Sequence, residues 1–235
     1  MSTTLAQAAV LVAAKLADAS NRVWTSTELK ILVARGHDML VSETRCLWTA
    51  NEYNDVSGTG TMSVPSDLLK LTAVTWDYVK IPKVRMIDLV RREPGWRTKT
   101  GNVEAFMVDG DGVGTIRKVY TPSANATNKF GLEYYQSANS LTSDSTVLNI
   151  LDWMVKYVVY YACFAALSRE GEGQDLVLAT HYHTRYKRGV KVIKDMVSSV
   201  NAYSKTIVGS NTQTLPSFGY RLPANYGRVE GRRRY

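Results

Sequence analysis

The sequence predicts an α+β fold: a helical bundle with an inserted small antiparallel β region and an extended C-terminal arm. Apolar residues recur at three-to-four spacing at both ends of the first 203 residues, which is typical of amphipathic helices. Between them, from Asn51 to Asn139, short β-forming segments alternate with turns rich in Gly, Asp and Pro. These changes divide the chain into N-terminal helices of the bundle (1–50), a β-rich insert (51–140), a long helical hairpin that completes the bundle (141–203) and the arm (204–235).

The composition is that of a folded protein with excess positive charge. Of the 235 residues, 45% are hydrophobic and 21% are charged, which is enough to bury a core. The 29 Lys and Arg residues exceed the 21 Asp and Glu residues by 8. Six basic residues against the single Glu230 give the arm +5 of that excess. We therefore expect a partner with an acidic surface, either nucleic acid or protein.

Two helices are predicted before the insert. The first spans residues 3–19, and the second begins near Thr25, where Thr25 and Glu28 have the spacing of a capping box. The apolar face of the first helix holds Leu5, Ala8, Ala9, Val12 and Leu16. The apolar face of the second holds Leu29, Leu32, Val33, Gly36, Leu40 and Leu47.

Within the insert we predict four or five short antiparallel strands that form a small sheet or sandwich. The clearest signal is a hairpin, in which the strands Val103–Val108 and Val113–Tyr120 flank an Asp-Gly-Asp-Gly turn. Val84–Arg92 is predicted as a short helix that ends before Pro94. The remaining strand predictions are Thr61–Val64, Leu69–Trp76 and Phe130–Gln136.

The first helix of the hairpin, Val147–Arg169, is apolar nearly all round, apart from a narrow stripe of Asn149, Asp152 and Lys156. A helix of this kind is typical of the centre of a bundle or of an interface, so we expect sister subunits to cover it. Asp152 and Lys156 are predicted to form a structural ion pair, within or between subunits. Their charges also argue against a membrane span, and no membrane partner is expected.

The second helix of the hairpin, Gln174–Val200, is amphipathic, with Leu178, Ala179 and Tyr182 beginning its apolar face. Its opposite face carries four basic residues. These are expected either to line a channel or its rim or to form an ordinary solvated face. The four are Lys187, Arg188, Lys191 and Lys194.

The sequence offers no motif for catalysis, cofactor binding or metal binding. Asp109 and Asp111 begin like a calcium loop, but Tyr120 stands where the bidentate Glu belongs. His181 and His183 point about 200° apart on a helix, so both cannot reach one ion. We therefore predict no enzyme, no cofactor and no metal.

The arm combines aromatic residues with arginines, which suits a segment that docks onto a partner. A solvated tail and a tail that binds nucleic acid are the alternatives, because basic segments bind phosphates and aromatic rings stack on bases. The residues that we expect to make the docking contacts are Phe218, Tyr220, Arg221, Tyr226, Arg228, Arg232, Arg233, Arg234 and Tyr235.

Two stretches carry a resemblance to a known family. Residues 160–176 (YYACFAALSREGEGQDL), followed by Ala-Thr-His-Tyr at 179–182 and Arg-Tyr at 185–186, resemble a helical hairpin with an acidic, glycine-containing turn. Residues 64–77 (VPSDLLKLTAVTWD) resemble the start of a β region. In both respects, over roughly residues 3–200, the chain resembles the head-to-tail adaptor (connector) proteins of tailed bacteriophages.

The resemblance implies a structural, non-enzymatic virion protein that is made in the bacterial host cytoplasm. It implies a homo-oligomeric ring, usually of twelve copies, beneath the portal protein at the capsid vertex, with DNA passing non-specifically through its channel. The arm would dock onto the portal, and the β region would face a tail or neck protein below. Subunit contacts are expected from the hairpin, at Asp152, Lys156, Tyr160, Tyr182 and Tyr186. The rival hypothesis is a nucleic-acid-binding module that uses the basic tail.

Overall fold

The computed structural model describes residues 2–54, 60–109, 115–120 and 129–210. For residues 54, 109 and 200–210 it describes the backbone only. The chain divides into two units, 1–197 and 198–235. The described residues form five helices and seven antiparallel strands, which confirms the α+β class. In chain order they are α1 (Leu5–Lys15), α2 (Ser26–Thr44), β1 (Trp48–Asn54), β2 (Thr61–Ser63), β3 (Leu68–Trp76), β4 (Val79–Ile81), α3 (Met86–Arg92), β5 (Ala105–Asp109), β6 (Thr115–Val119), β7 (Lys129–Gln136), α4 (Asp152–Leu167) and α5 (Leu176–Ser210).

The helical bundle is built from α1, α2, α4 and α5, and capping boxes start its first two helices. Thr25 and Glu28 cap α2 as the sequence predicted, and Thr4 and Gln7, for which no capping box was predicted, cap α1 in the same way. The backbone of α2 approaches α4 closely at Gly36, where a Cβ would lie 3.0 Å from the Val158 carbonyl oxygen. Small residues at such points allow the helices to pack at short range.

The neighbours of α4 correct one prediction. Its buried residues, including Val158, Ala162 and Cys163, share one core with α1, α2 and α5 of the same chain. Sister subunits are therefore not needed to cover most of this helix. Asp152 and Lys156 of this helix are exposed, and its half-buried aromatic side chains are those of Trp153, Tyr157, Tyr160, Tyr161 and Phe164.

The insert is a sandwich of two antiparallel sheets. Their strand orders are β1-β7-β3-β4 and β2-β6-β5. Trp76 and Phe130 of the first sheet share a buried cluster with Phe106 and Ile116 of the second. The predicted hairpin is confirmed by the antiparallel pairing of β5 with β6, whereas its turn lies outside the described residues.

A second, smaller core fixes α3 to the outside of the β5–β6 hairpin. Leu89 of α3 and Trp96 just beyond it pack against Ala105, Met107 and Val119. Trp96 is only 2% exposed. A seven-residue helix is marginal by itself, so this cluster is what holds α3 in place.

Several boundaries differ from the predictions. Helix α2 ends at Thr44 because Arg45 adopts the left-handed conformation (φ 53°, ψ 44°), so Leu47 is not on its apolar face. Helix α4 starts at Asp152 rather than Val147, since Val147 instead pairs with Thr4 in an antiparallel bridge. Helix α5 continues to Ser210, beyond the predicted Val200. No helix in the described part of the chain is both long and apolar enough to span a bilayer.

Candidate interaction surfaces

The groove between α4 and α5 carries an aromatic and apolar stripe, which we call the seam. On α5 its members, counted together with Gly189, follow a 4-3-4-3-4 spacing, and Gly189 lies against the ring of Tyr157 on α4. The seam consists of Trp153, Tyr157 and Tyr160 from α4 and Leu178, Tyr182, Arg185, Val192 and Met196 from α5.

The aromatic rings of the seam contact one another in series. Trp153 meets Tyr157 edge-on at 6.3 Å between ring centroids, and Tyr157 meets Tyr160 at 6.2 Å. Tyr160 then stacks on Tyr182 at 5.9 Å with an interplanar angle of 27°. Such pairs each stabilise packing by about 0.5–1.5 kcal/mol beyond their area burial, so they rigidify the groove.

Three cations lie over these rings. Lys15 of α1 and Arg185 of α5 both lie over Tyr160, at 5.5 and 5.7 Å from its centroid. Lys156 lies 5.0 Å from the centroid of Tyr157. All three are exposed, and none forms an ion pair with any side chain that the structure describes. The seam is therefore aromatic and positively charged at once.

The predicted subunit-contact residues occupy different environments. Tyr160, Tyr182 and Lys156 belong to the seam. Asp152 accepts a hydrogen bond from Thr3 Oγ1 at 3.3 Å, and it forms no ion pair with Lys156 within the chain. Tyr186 lies in the helical core, 1% exposed, and its hydroxyl donates to Glu43 Oε1 at 3.2 Å. Burial and the adjacent Glu43 carboxylate raise the pKa of Tyr186.

The basic face of α5 is on the surface, as the amphipathic pattern predicted. Lys187 pairs with Glu43, 3.2 Å away, and Glu43 also accepts the bond from Tyr186. Arg188, Lys191 and Lys194 are exposed and form no ion pair within the described residues. This arrangement agrees with a channel or rim and equally with a solvated face. The nine arm residues predicted to bind the portal, from Phe218 to Tyr235, lie outside the described residues.

A surface that the sequence analysis missed lies on α3, and we call it the α3 patch. Three apolar side chains of this helix are exposed: Met86 at 42%, Ile87 at 56% and Val90 at 43%. Seven basic residues against Asp88 and Glu93 give residues 80–99 a net charge of +5. Five of those cations form no ion pair within the described residues: Lys80, Lys83, Arg91, Arg92 and Arg97. The local charge was a signal available in the sequence.

The buried titratable groups do not form a reactive site. Burial raises the pKa of the Cys163 thiol to about 12, which keeps it protonated and unreactive. Burial lowers the pKa of His37 to about 4, and neither ring nitrogen has a hydrogen-bond partner among the described residues. The side chain of Asn149 approaches this ring without hydrogen-bond geometry, and its presence raises the pKa of His37 in part against the effect of burial.

No cluster of metal-ligating side chains occurs in the part of the chain that the structure describes. That part holds no group of three His, Cys, Asp or Glu side chains placed to share an ion. A cleft of about 280 Å³ at one end of the sandwich is lined by six aliphatic side chains with Lys70 and Lys83. Its lining includes no carboxylate, imidazole, hydroxyl or thiol side chain, and Lys70 and Lys83 are its only polar lining residues.

Comparison with known families gives a match to the family described as SU10 adaptor protein, over residues 3–208. The matched range includes the bundle, the insert and all of α5 except its last two residues. No curated protein matches the chain.

Proposed function

Because the chain belongs to the SU10 adaptor protein family and is thus a phage adaptor protein, we propose that it forms a ring joining the portal to the tail, with DNA passing through its channel. The observation that carries this proposal is the family match across residues 3–208, which is nearly the whole chain. A structural adaptor needs surfaces rather than a reaction centre. The chain accordingly acts as a non-enzymatic component of the virion neck.

Ring formation draws on the hairpin. The seam offers a rigid aromatic surface with three cations, and Tyr160, Tyr182 and Lys156 are its predicted contact residues. Aromatic residues and arginine are enriched where protein partners meet, whereas a solvated helix face rarely collects them. We expect twelve copies in the ring.

Portal docking is assigned to the arm. Its nine predicted contact residues, which begin with Phe218 and end with Tyr235, combine aromatic anchors with arginines that suit carboxylates and carbonyl groups. Repetition around a ring raises the effective concentration of each arm at its site, so that individually weak contacts hold the complex together.

The lower face is assigned to the α3 patch. Exposed Met86, Ile87 and Val90 beside unpaired cations match a partner that presents an apolar groove with an acidic rim. DNA phosphates would gain no favourable contact from the apolar side chains, so we assign this patch to a tail or neck protein. The DNA channel is assigned to Arg188, Lys191 and Lys194, whose contacts with phosphate need no sequence specificity.

Co-sedimentation with portal-containing particles tests this function. Particles that lack the chain are mixed with the full chain or with a chain that ends at Ser210, the last residue of α5. The full chain is expected to sediment with the particles, and the shortened chain to remain in the supernatant while still folding. Equal sedimentation of both chains would refute the role of the arm, and no sedimentation of the full chain would refute the adaptor function.

A further inference from the structure

The seam is built like half of an interface. Leu178, Val192 and Met196 are 37%, 46% and 52% exposed, and they line up with the half-buried rings of Tyr157 and Tyr160. This stripe runs about 27 Å along α5, since α-helices rise about 1.5 Å per residue. An exposed stripe of that length, apolar except for Arg185, is typical of a surface that another protein covers.

The charges of the seam restrict what covers it. Lys15, Lys156 and Arg185 lie over its rings, and none has an acidic partner among the described side chains. An apolar occupant without acids would leave these cations partly desolvated and unpaired, which is costly. The surface that fits therefore combines apolar side chains with carboxylates.

The turn between α4 and α5 has this chemistry. Glu170 and Glu172 are exposed there and form no ion pair within the described part of the chain. Leu176 and Val177 follow at 60% and 84% exposure. Val177 is the most exposed large hydrophobic side chain in that part of the chain. The turn thus complements the seam in both charge and hydrophobicity.

The turn is also held in one conformation, so it can dock without a large ordering cost. Gly171 and Gly173 adopt φ angles of 121° and 84°, and Gly173 packs so closely on Trp24 that a Cβ would lie 2.7 Å from its ring. The Asp175 amide donates to the Leu167 carbonyl at 3.1 Å, which closes the turn.

We propose that the turn of one copy docks into the seam of the next copy, with Glu170 and Glu172 facing Lys15, Lys156 and Arg185. Val177, which lies at the start of α5 next to the turn, is adjacent to Leu178 of the seam on the same continuous helix, so the turn cannot fold back onto its own seam. The contact is therefore head-to-tail, and repeated head-to-tail contacts generate a ring when the rotation closes. This inference rests on the proposed ring and names the two surfaces that build it.

Charge reversal in both partners tests the contact. One variant carries Lys15→Glu with Arg185→Glu, which makes the seam acidic. The other carries Glu170→Lys with Glu172→Lys, which makes the turn basic. Each is added to portal-containing particles that lack the chain, and the bound copies are counted by electron microscopy. We expect each variant alone to occupy the particles about 10-fold less than the unaltered chain, the effect of losing about 1.4 kcal/mol.

Restoration is the decisive result. A chain with all four substitutions pairs a basic turn with an acidic seam, and an equal mixture of the two variants satisfies both contacts in alternation. Both samples are expected to regain occupancy. Arg35→Glu, on the exposed outer face of α2, is the matched control and should assemble normally. Thermal unfolding of each variant identifies any that fails to fold, in which case Arg185→Gln with Glu172→Gln, expected to weaken assembly, replaces the reversals.

Three outcomes distinguish failure of the proposed contact from failure of the proposed function. Normal occupancy by both charge-reversed variants would overturn the proposed contact while leaving the ring intact. Loss in both variants without recovery in the combined chain or the mixture would also overturn it, because charge pairing would not be the cause. Failure of the unaltered chain to form rings on the particles would instead refute the proposed function.

Discussion

Gly189 of α5 lies directly against the ring of Tyr157 on α4: a Cβ added to Gly189 would stand 2.2 Å from Tyr157 Cδ1. Only a residue without a side chain permits this approach. The same ring contacts Trp153 and Tyr160, so the packing of one glycine positions the whole aromatic series of the seam.

Gly189→Ala is therefore expected to destabilise the fold although alanine favours helices. Forcing the Tyr157 ring aside costs about 1–3 kcal/mol by overpacking, and the better helix propensity returns at most about 1 kcal/mol. The midpoint of urea unfolding should fall. Gly95→Ala is the control, because a Cβ there meets no atom within 4 Å. Equal midpoints for Gly189→Ala and the unaltered chain would show that this contact is not tight.

Acidification should weaken the fold through His37. The folded chain holds the pKa of this buried imidazole at about 4, whereas the ordinary value is 6.5. Between those values the unfolded chain binds more protons, so stability falls as the pH drops from 6.5 to 4 and His37 contributes no further change below that. The loss attributable to His37 approaches about 3 kcal/mol. His37→Leu should remove this part of the pH dependence, as measured by urea unfolding at a series of pH values. An unchanged slope in the variant would assign the dependence to other groups.

Glu28 links the start of α2 to the segment just after α4 through hydrogen bonds. Its carboxylate accepts from Arg169 Nη1 at 2.5 Å and from the Thr25 amide at 3.0 Å. The hydrogen bond from Arg169, supported by those from Thr25, lowers the pKa of Glu28 to about 2. Its stabilisation is complete above the ordinary value of 4.5 and is lost as the pH falls towards 2.

Glu28→Ala should lower the free energy of unfolding at neutral pH, because it removes the N3 side of the capping box and leaves the Thr25 amide without its carboxylate partner, whereas the loss of the surface ion pair adds little. Glu172→Ala, which removes an exposed carboxylate without an ion pair, serves as the stability control. Denaturant unfolding at pH 7 measures both. A cost for Glu28→Ala no larger than that of the control would mean that the cap does not stabilise α2.

A substitution in the α3 patch should impair tail attachment without destabilising the fold. Ile87 is 56% exposed, so Ile87→Asp is expected to change stability by no more than about 0.5 kcal/mol. The same variant should reduce the fraction of particles that carry tails, counted by electron microscopy. Trp96→Ala makes the useful contrast, because emptying the small core beneath α3 should cost about 3–5 kcal/mol. Normal tail attachment by Ile87→Asp would remove the α3 patch from the lower contact.

Local signals in the sequence predicted much of this fold. The Thr25–Glu28 box, the β5–β6 hairpin and the two hairpin helices each follow from short-range chemistry that the sequence displays. Strand β1 escaped prediction because Trp48–Asn54 is largely polar, and its pairing with distant β7 determines its conformation. The left-handed Arg45, which ends α2, carries no glycine signal.

The surfaces were harder to predict than the elements. An apolar helix such as α4 looks alike whether its own chain or a sister copy covers it, and here the same chain covers most of it. The seam depends on which residues of α4 and α5 meet, a tertiary fact that begins at Gly189 and Tyr157. The exposure of Met86, Ile87 and Val90 likewise depends on which face Leu89 and Trp96 bury.

High-resolution imaging of the neck is the most direct test of the proposed role, using portal-containing particles rebuilt with the purified chain. We expect a closed ring of identical copies beneath the portal, with an open axial channel and one arm from each copy seated on the portal surface. Particles whose portals carry no such ring, or only isolated copies around an otherwise bare vertex, would rule out the adaptor role.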